Sequence, residues 1–215
     1  MYLPSHFEGD RSHAAALIRQ HPFASLISVD ESGLPFITHL PLHLEMADDP
    51  AGQQAFTLLG HVARGNPHWH YLRDRAQAVV TFLGPHAYLS PKVYLDLARV
   101  PTWNYLAVHC TVHATLLEDA TVKDSLLKKL IGDHEPAYAE QWRGMDDAYA
   151  RKMLAGIVAF ELQVTGLQCK LKLNQHRSEA VLATQAIYEN GNDAEQDLGR
   201  WMKHIVSGSI HSRKD

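Results

Sequence analysis

Hydrophobic and polar positions alternate with the two-residue period of a half-buried strand in several segments. Shorter stretches carry the wider period of a helix. Residues 104–117 show the strand pattern best. Leu106, Val108, Cys110, Val112, Ala114 and Leu116 fall on one face, the predicted core face, and Tyr105, Ala107, His109, Thr111, His113 and Thr115 on the other. Strands are also predicted over 23–29 and 35–44, joined by Asp30-Glu31-Ser32-Gly33 as a hairpin turn with glycine where positive φ is needed. Further strands are expected over 55–62, 78–83 and 156–165. Residues 46–53 are polar with Pro50 and Gly52 and read as loop, and Pro85, Pro91 and Pro101 argue against a regular element between 84 and 102.

A first helix is predicted over 10–20, capped by Asp10 or Ser12, with Ala14, Leu17 and Ile18 on its apolar stripe and His21-Pro22 at its end. Asn66-Pro67 opens a short helix through Trp69 and Leu72. Two helices follow over 121–131 and 136–154, and two short ones after Arg177, separated by Asn190-Gly191-Asn192. About six strands in mainly hairpin or meander order, with a helical periphery, predict a mainly β, α+β fold: a small antiparallel barrel with helices covering its ends. Residues 1–170 are expected to form this domain and 171–215 a helical extension packed on it.

Composition narrows the class. The 215 residues are 46% hydrophobic and 20% charged, which excludes a disordered tail, a collagen-like repeat and a disulfide-stapled miniprotein. Lys and Arg number 20 against 24 Asp and Glu, a net charge of −4, which argues against tight DNA binding through a broad basic face. Cys110 and Cys169 match neither a zinc spacing nor a disulfide framework. No secretory signal and no bilayer-length apolar run are evident, so a cytoplasmic protein without membrane contact is expected. The 15 histidines include the pairs His39 and His43, His68 and His70, and His109 and His113. Each pair lacks a third ligand, so no metal site is predicted. Nucleophile-elbow, Walker and dinucleotide-binding glycine patterns are absent.

Three constellations remain. Gly60-His61-Val62-Ala63-Arg64-Gly65-Asn66-Pro67-His68-Trp69 sits where a strand turns into a helix. It reads either as a phosphate cradle, with Arg64 beside unpaired helix N–H groups, or as a capped helix with an exposed arginine. The loop Gly84–Pro91 with Val100-Pro101-Thr102-Trp103-Asn104-Tyr105 offers Trp103, Tyr88 and Tyr94 as walls for a flat ring and Thr102 and Asn104 as hydrogen-bonding groups; a loop packed by its own aromatics fits equally. Lys170-Leu171-Lys172-Leu173-Asn174-Gln175-His176-Arg177 places two lysines on one face of a strand end, either facing a phosphate or protecting a solvated edge strand.

The opening Met1-Tyr2-Leu3-Pro4-Ser5-His6-Phe7, with HVARGNPHW, GPHAYLSP, VPTWNY and KLKLNQHR, resembles the PaiB-like family of FMN-binding proteins described as negative transcriptional regulators. The resemblance runs from residue 1 to about residue 205. It implies an antiparallel split β-barrel that forms a homodimer with FMN at the subunit interface. It assigns His61 and Arg64, supported by Ala63 and Asn66, to the flavin phosphate. Thr38, His39, Leu40 and Pro41 would lie beside the isoalloxazine, Thr102, Trp103 and Asn104 near the pocket, and Lys172 and Gln175 in the C-terminal motif. Asn174 stands where the family usually has serine, His176 where it has asparagine and Gly65 where it has alanine, and the usual tryptophan before Tyr94 is missing. The implied role is an FMN-binding regulator whose DNA contact is indirect. The alternative is a flavin-dependent oxidoreductase using the same pocket, with His39 and His61 as acid–base candidates. A haem-binding split barrel is a third reading, resting on the histidines alone.

Overall fold

A computed structural model describes residues 1–48, 54–94 and 99–211. In chain order its elements are β1 (Glu8–Gly9), α1 (Arg11–Gln20), β2 (Phe23–Val29), β3 (Pro35–Pro41), β4 (His43–Asp48), β5 (Gln54–Ala63), α2 (His68–Asp74), β6 (Gln77–Leu89), β7 (Thr102–Leu117), α3 (Ala120–His134), α4 (Tyr138–Arg143), α5 (Asp147–Ala155), β8 (Ile157–Lys172), α6 (Ser178–Glu189) and α7 (Asp193–His211). The strand order is β3-β2-β6-β7-β8-β5-β4, with β1 paired to β8. Contacts divide the chain into two units. The first comprises Met1–Leu17, Leu83–Val108 and Gln168–Asp215, and the second Ile18–Phe82 and His109–Leu167.

In the second unit β2 and β3 form the expected hairpin, with Phe23 opposite Pro41 and Val29 opposite Pro35. Asp30 Oδ1 shapes its loop by accepting from the Ser32 and Leu34 amides at 2.8 and 3.0 Å. Gly33 takes φ of 84° there, a conformation that a β-carbon disfavours.

The strand predicted over 35–44 is in fact two. At Leu42 the chain leaves β2, and β4 pairs with β5 from His43 opposite Leu59 to Asp48 opposite Gln54. Pro41 has no N–H to extend a ladder, and the Leu42 N–H goes to the Pro22 carbonyl at 3.0 Å. That pairing also makes residues 46–48 strand where polarity predicts loop; the remainder of the predicted loop, 49–53, lies outside the described residues. Close approach at this junction explains Gly60. A β-carbon there would press into Leu42 Cδ2 and lie 3.4 Å from Phe160 Cε2, and both side chains are fully buried. Gly60→Ala is expected to lower the unfolding free energy by about 1–3 kcal/mol, the usual cost of overpacking. An unchanged urea midpoint would mean that Leu42 has room to retreat.

Asp119 caps α3 by accepting from the Thr121 and Val122 amides at 2.8 and 3.0 Å. Leu126 and Leu130 of that helix pack on Leu59 and Ala159. The helix predicted over 136–154 is broken into α4 and α5. Gly144 closes α4 and Asp146 caps α5 by accepting from the Tyr149 amide at 3.0 Å.

In the first unit β6 continues to Leu89, where the prolines predict no regular element. Gly84 and Pro85 are both buried, so the burial alternation slips by one residue, accommodating a residue that donates no ladder bond. β8 extends to Lys172, and β1 pairs with it, Glu8 opposite Lys170 and Gly9 opposite Cys169. Lys170 is therefore buried rather than set on a solvated edge. Asn192 and Glu195 form a reciprocal capping box at α7, the Glu195 amide bonding Asn192 Oδ1 at 3.1 Å and the Asn192 amide bonding Glu195 Oε2 at 2.8 Å. Leu17, Leu106, Val108, Tyr188, Leu198 and Met202 are among the unit's buried side chains. Among the described residues no helix is long and apolar enough to cross a membrane.

Candidate functional site

The second unit holds the turn between β5 and α2. Arg64 is built into it on every side. Its amide donates to the Gly156 carbonyl at 2.8 Å, and its carbonyl accepts from Trp69 Nε1 at 3.0 Å. Its guanidinium donates through Nε to the Ala155 carbonyl at 2.8 Å and through Nη2 to the Ile157 carbonyl at 3.3 Å. A guanidinium has five N–H donors, so three stay available on an exposed, braced side chain. The expected contribution of the helix start is corrected. The His68 amide is already taken by Asn66 Oδ1 at 3.0 Å, and α2 has only seven residues. Arg64 is the side chain of this turn with donors left over.

Asn66 and Thr38 meet in a network centred on the buried His68, which the sequence reading weighs only as a metal-ligand pair with His70. Asn66 Nδ2 donates to Thr38 Oγ1 at 3.2 Å, and the His68 ring bonds Thr38 Oγ1 through Nδ1 and Ser28 Oγ through Nε2, both at 2.8 Å. Either ring tautomer satisfies these contacts. Thr38 accepts from Asn66 and donates to Nδ1, leaving the proton on Nε2 for Ser28, or Thr38 Oγ1 accepts from both Asn66 and Nδ1 while Ser28 donates to Nε2; the two arrangements are equally complete. His68 is fully buried, and burial pulls its pKa down to about 4, so it is neutral near pH 7. Ser28 carried a legible signal: it shares the inward parity of Ala24 and Leu26 on β2, yet it is polar.

The other predicted residues of this unit are placed as follows. His61 lies on β5 opposite Ala159. Its Nδ1 is buried without a hydrogen-bond partner, and burial lowers its pKa. Ala63 is exposed. His39 is exposed, with Nδ1 3.0 Å from Ser25 Oγ and its ring stacked 6.3 Å from Phe23. Leu40 is buried and Pro41 half-buried. His43 does not join His39: it bonds Asp133 at 2.6 Å. Among the described residues no group of three His, Cys, Asp or Glu side chains is arranged to hold a metal ion.

The first unit holds the remaining predicted residues. Lys172 Nζ donates to Thr102 Oγ1 at 2.7 Å. The ammonium groups of Lys170 and Lys172 lie 5.3 and 5.9 Å from the Tyr105 ring. Burial lowers the pKa of Lys172; Tyr105 opposes that shift and Lys170 adds to it. Trp103 is 54% exposed and sits beside His86 and Tyr88, at 6.2 and 6.3 Å between ring centroids. Tyr94 stands apart from that group and donates to Asn174 Oδ1 at 2.9 Å. Asn174 has φ of 63°, a left-handed conformation that asparagine tolerates better than serine. Gln175 is spent on the main chain: Nε2 donates to the His6 and Leu171 carbonyls, and Oε1 accepts from the Leu173 amide at 2.9 Å. Asn104 is 1% exposed. Its Nδ2 donates to the Tyr188 hydroxyl at 3.1 Å, while Oδ1 has no hydrogen-bond partner. Burial pushes the Tyr188 hydroxyl up to about 12.

A family described as "Putative FMN-binding domain" matches residues 1–166. The chain is also 33% identical over 185 residues to "Protease synthase and sporulation protein PAI 2" of Bacillus subtilis (strain 168), covering 83% of this chain and 84% of that protein. The chain belongs to this PaiB-like family. Solved structures outside the near family share the fold of this PaiB-like protein. A "putative 5-nitroimidazole antibiotic resistance protein" from Bacteroides thetaiotaomicron superposes with a TM-score of 0.57 at 14% identity, over 76% of this chain and 85% of that one. A FAD and heme binding protein from Mycobacterium smegmatis gives 0.58 at 18% identity, over 76% and 71%. The PaiB-like chain thus has the antiparallel split β-barrel fold with peripheral helices that its sequence predicts.

Proposed function

We propose that this PaiB-like protein binds FMN as a homodimer and acts as a negative regulator of transcription. The observation that carries the flavin reading is Arg64, held by two main-chain carbonyls with three donors left over in an exposed turn. That donor set suits a phosphate monoester, which a braced guanidinium recognises through charge-assisted bonds. On this reading Arg64 holds the flavin phosphate, with Ala63 and His61 supporting the turn. Asn66 and Thr38 act from behind, fixing the turn to β3. His39, Leu40 and Pro41 offer backbone groups to the edge of the ring. Bound FMN supplies the electron chemistry of its isoalloxazine; the chain's residues bind and orient it. The family pattern also ties Thr102, Trp103, Asn104, Lys172 and Gln175 to the flavin.

A second copy is proposed to cover the exposed face of β2, β3 and β6. The regulatory role is supported by the name of the B. subtilis relative, a protease synthase and sporulation protein, and by the family resemblance. With a net charge of −4, contact with DNA is expected to run through a partner.

The deciding experiment is a visible spectrum of the purified protein with and without added FMN. Flavin bands with one FMN per subunit are expected, with negligible NADH or NADPH oxidation. A colourless protein that ignores FMN would defeat the flavin reading, and steady turnover would favour the oxidoreductase. Arg64→Ala is expected to weaken FMN binding by about 1.5–3 kcal/mol, the range for a hydrogen bond to a charged group. Equal affinity in a fluorescence titration would remove Arg64 from the phosphate site.

A further inference from the structure

The second unit contains a cleft of about 320 Å³ where the last turns of α1 and α3 meet the start of β4. That volume lies at the lower end of the range for small-ligand sites. The cleft shares no lining residue with the flavin site proposed above. Its buried wall is apolar: Ile18, Leu42 and Leu44 line it, each at most 6% exposed. Its exposed wall carries two opposite charges, the Arg19 guanidinium and the Asp133 carboxylate, together with the imidazoles of His43 and His134.

The two charges do not pair with each other. Arg19 spends Nη2 on Met46 Sδ at 3.3 Å, a weak acceptor, which leaves four of the five N–H donors of a guanidinium. Asp133 meets His43 Nδ1 through Oδ2 at 2.6 Å, and its Oδ1 is left over. An ionised carboxylate only accepts, so the neutral His43 ring carries its proton on Nδ1 and keeps the lone pair of Nε2. Asp133 also lies in the last turn of α3. The partial negative charge of a helix C-terminus adds to its own and favours a cation there.

We infer that this cleft binds a free α-amino acid with an aliphatic side chain. Its carboxylate meets Arg19, its ammonium meets Asp133 and the open lone pair of His43, and its side chain packs on Ile18, Leu42 and Leu44. A simple anion would leave Asp133 uncompensated, and a simple amine would leave Arg19 so. A molecule with both charges and a short apolar body serves all three walls, and the size of the cleft suits it. The inference goes beyond the proposed function and does not rest on it.

The test is isothermal titration of the full chain with L-leucine, and saturable binding at one site per chain is expected. Isocaproate lacks the ammonium, isoamylamine lacks the carboxylate and glycine lacks the side chain; each is expected to bind at least tenfold more weakly. Arg19→Gln and Asp133→Asn, made separately, are each expected to weaken leucine at least tenfold. The absence of saturable leucine binding would overturn the inference. So would isocaproate or isoamylamine binding as tightly as leucine, or wild-type affinity in either folded variant. The ligand comparison needs only the wild-type chain, so it decides the matter even if Asp133→Asn, with a weaker bond to His43, fails to fold. FMN binding without leucine binding would defeat this inference and spare the flavin reading, and leucine binding without FMN binding would do the reverse.

Discussion

His68→Ala is expected to lower the unfolding free energy by about 3–5 kcal/mol, from stranding the buried Ser28 hydroxyl, losing the bond to the half-buried Thr38 hydroxyl and opening a cavity. Each buried polar group left unpaired costs about 1–3 kcal/mol, and the lost imidazole leaves a cavity as well. The ring and Ser28 are buried and bonded at 2.8 Å, so solvent offers that hydroxyl no easy replacement, whereas Thr38 keeps its bond from Asn66. The variant also loses a pH dependence. Burial holds the folded-state pKa near 4, against 6.5 for the unfolded chain. The unfolded state therefore binds more protons between those values. The contribution of His68 is complete above about pH 6.5 and is lost as the pH falls towards 4, a total of about 3 kcal/mol. Urea melts of wild type and variant from pH 7 to pH 4 should converge by that amount. Parallel curves across the window would mean that His68 is not buried neutral in solution. FMN affinity should fall together with stability, because the same network holds Asn66 and the Arg64 turn against β3.

On the proposed dimer, Ile37→Asp is expected to leave the chain monomeric and, on the proposed flavin reading, to abolish FMN binding. The face it interrupts is continuous. Ile27 lies opposite Ile37 on β3 and opposite Val79 on β6, and Phe23, Val29, Ile37 and Val79 are all substantially exposed. A contiguous apolar patch of this kind is the mark of an interaction surface, and its strands carry no charged residue at those positions. Placing an unpaired carboxylate in a self-complementary interface costs at least about 3 kcal/mol through desolvation, and two-fold symmetry imposes it twice. The dimer dissociation constant should rise by a factor on the order of 100 or more. Sedimentation velocity at tens of micromolar would show it, with circular dichroism confirming that the monomer is folded. A wild-type chain that sediments as a monomer would remove this face as the interface.

Much of the architecture was legible because it is written locally. The β2–β3 hairpin follows from alternation plus Asp30 and Gly33, the core face of β7 from the alternation of residues 105–116, and the α6–α7 break from Asn190-Gly191-Asn192. Where the reading failed, a distant partner overrode the local signal. Leu42 splits one expected strand because β5 competes with β2 for the chain. Residues 46–48 are polar yet paired, and β6 absorbs Pro85 through a shift in its burial pattern. Lys170 looks like an edge residue until Glu8 of β1, 162 positions away in sequence, pairs with it.

The candidate sites divide in the same way. HVARGNPHW, VPTWNY and KLKLNQHR were enough to determine the family, and with it the split barrel and the expectation of a flavin. They were enough because these turns demand particular residues at fixed short spacings. Which member of each motif does what was decided only in three dimensions. His68 rather than His61 is the buried hub, since Ser28 and Thr38 on two other strands happen to flank it. Gln175 is consumed by the main chain of residues 6, 171 and 173. The cleft lined by Thr102, Asn104, Lys172 and Arg177 joins two motifs that whole elements separate in the chain, and only the fold brings them together. Short-range preference set the strands and turns; long-range pairing chose which polar groups would be left without a partner.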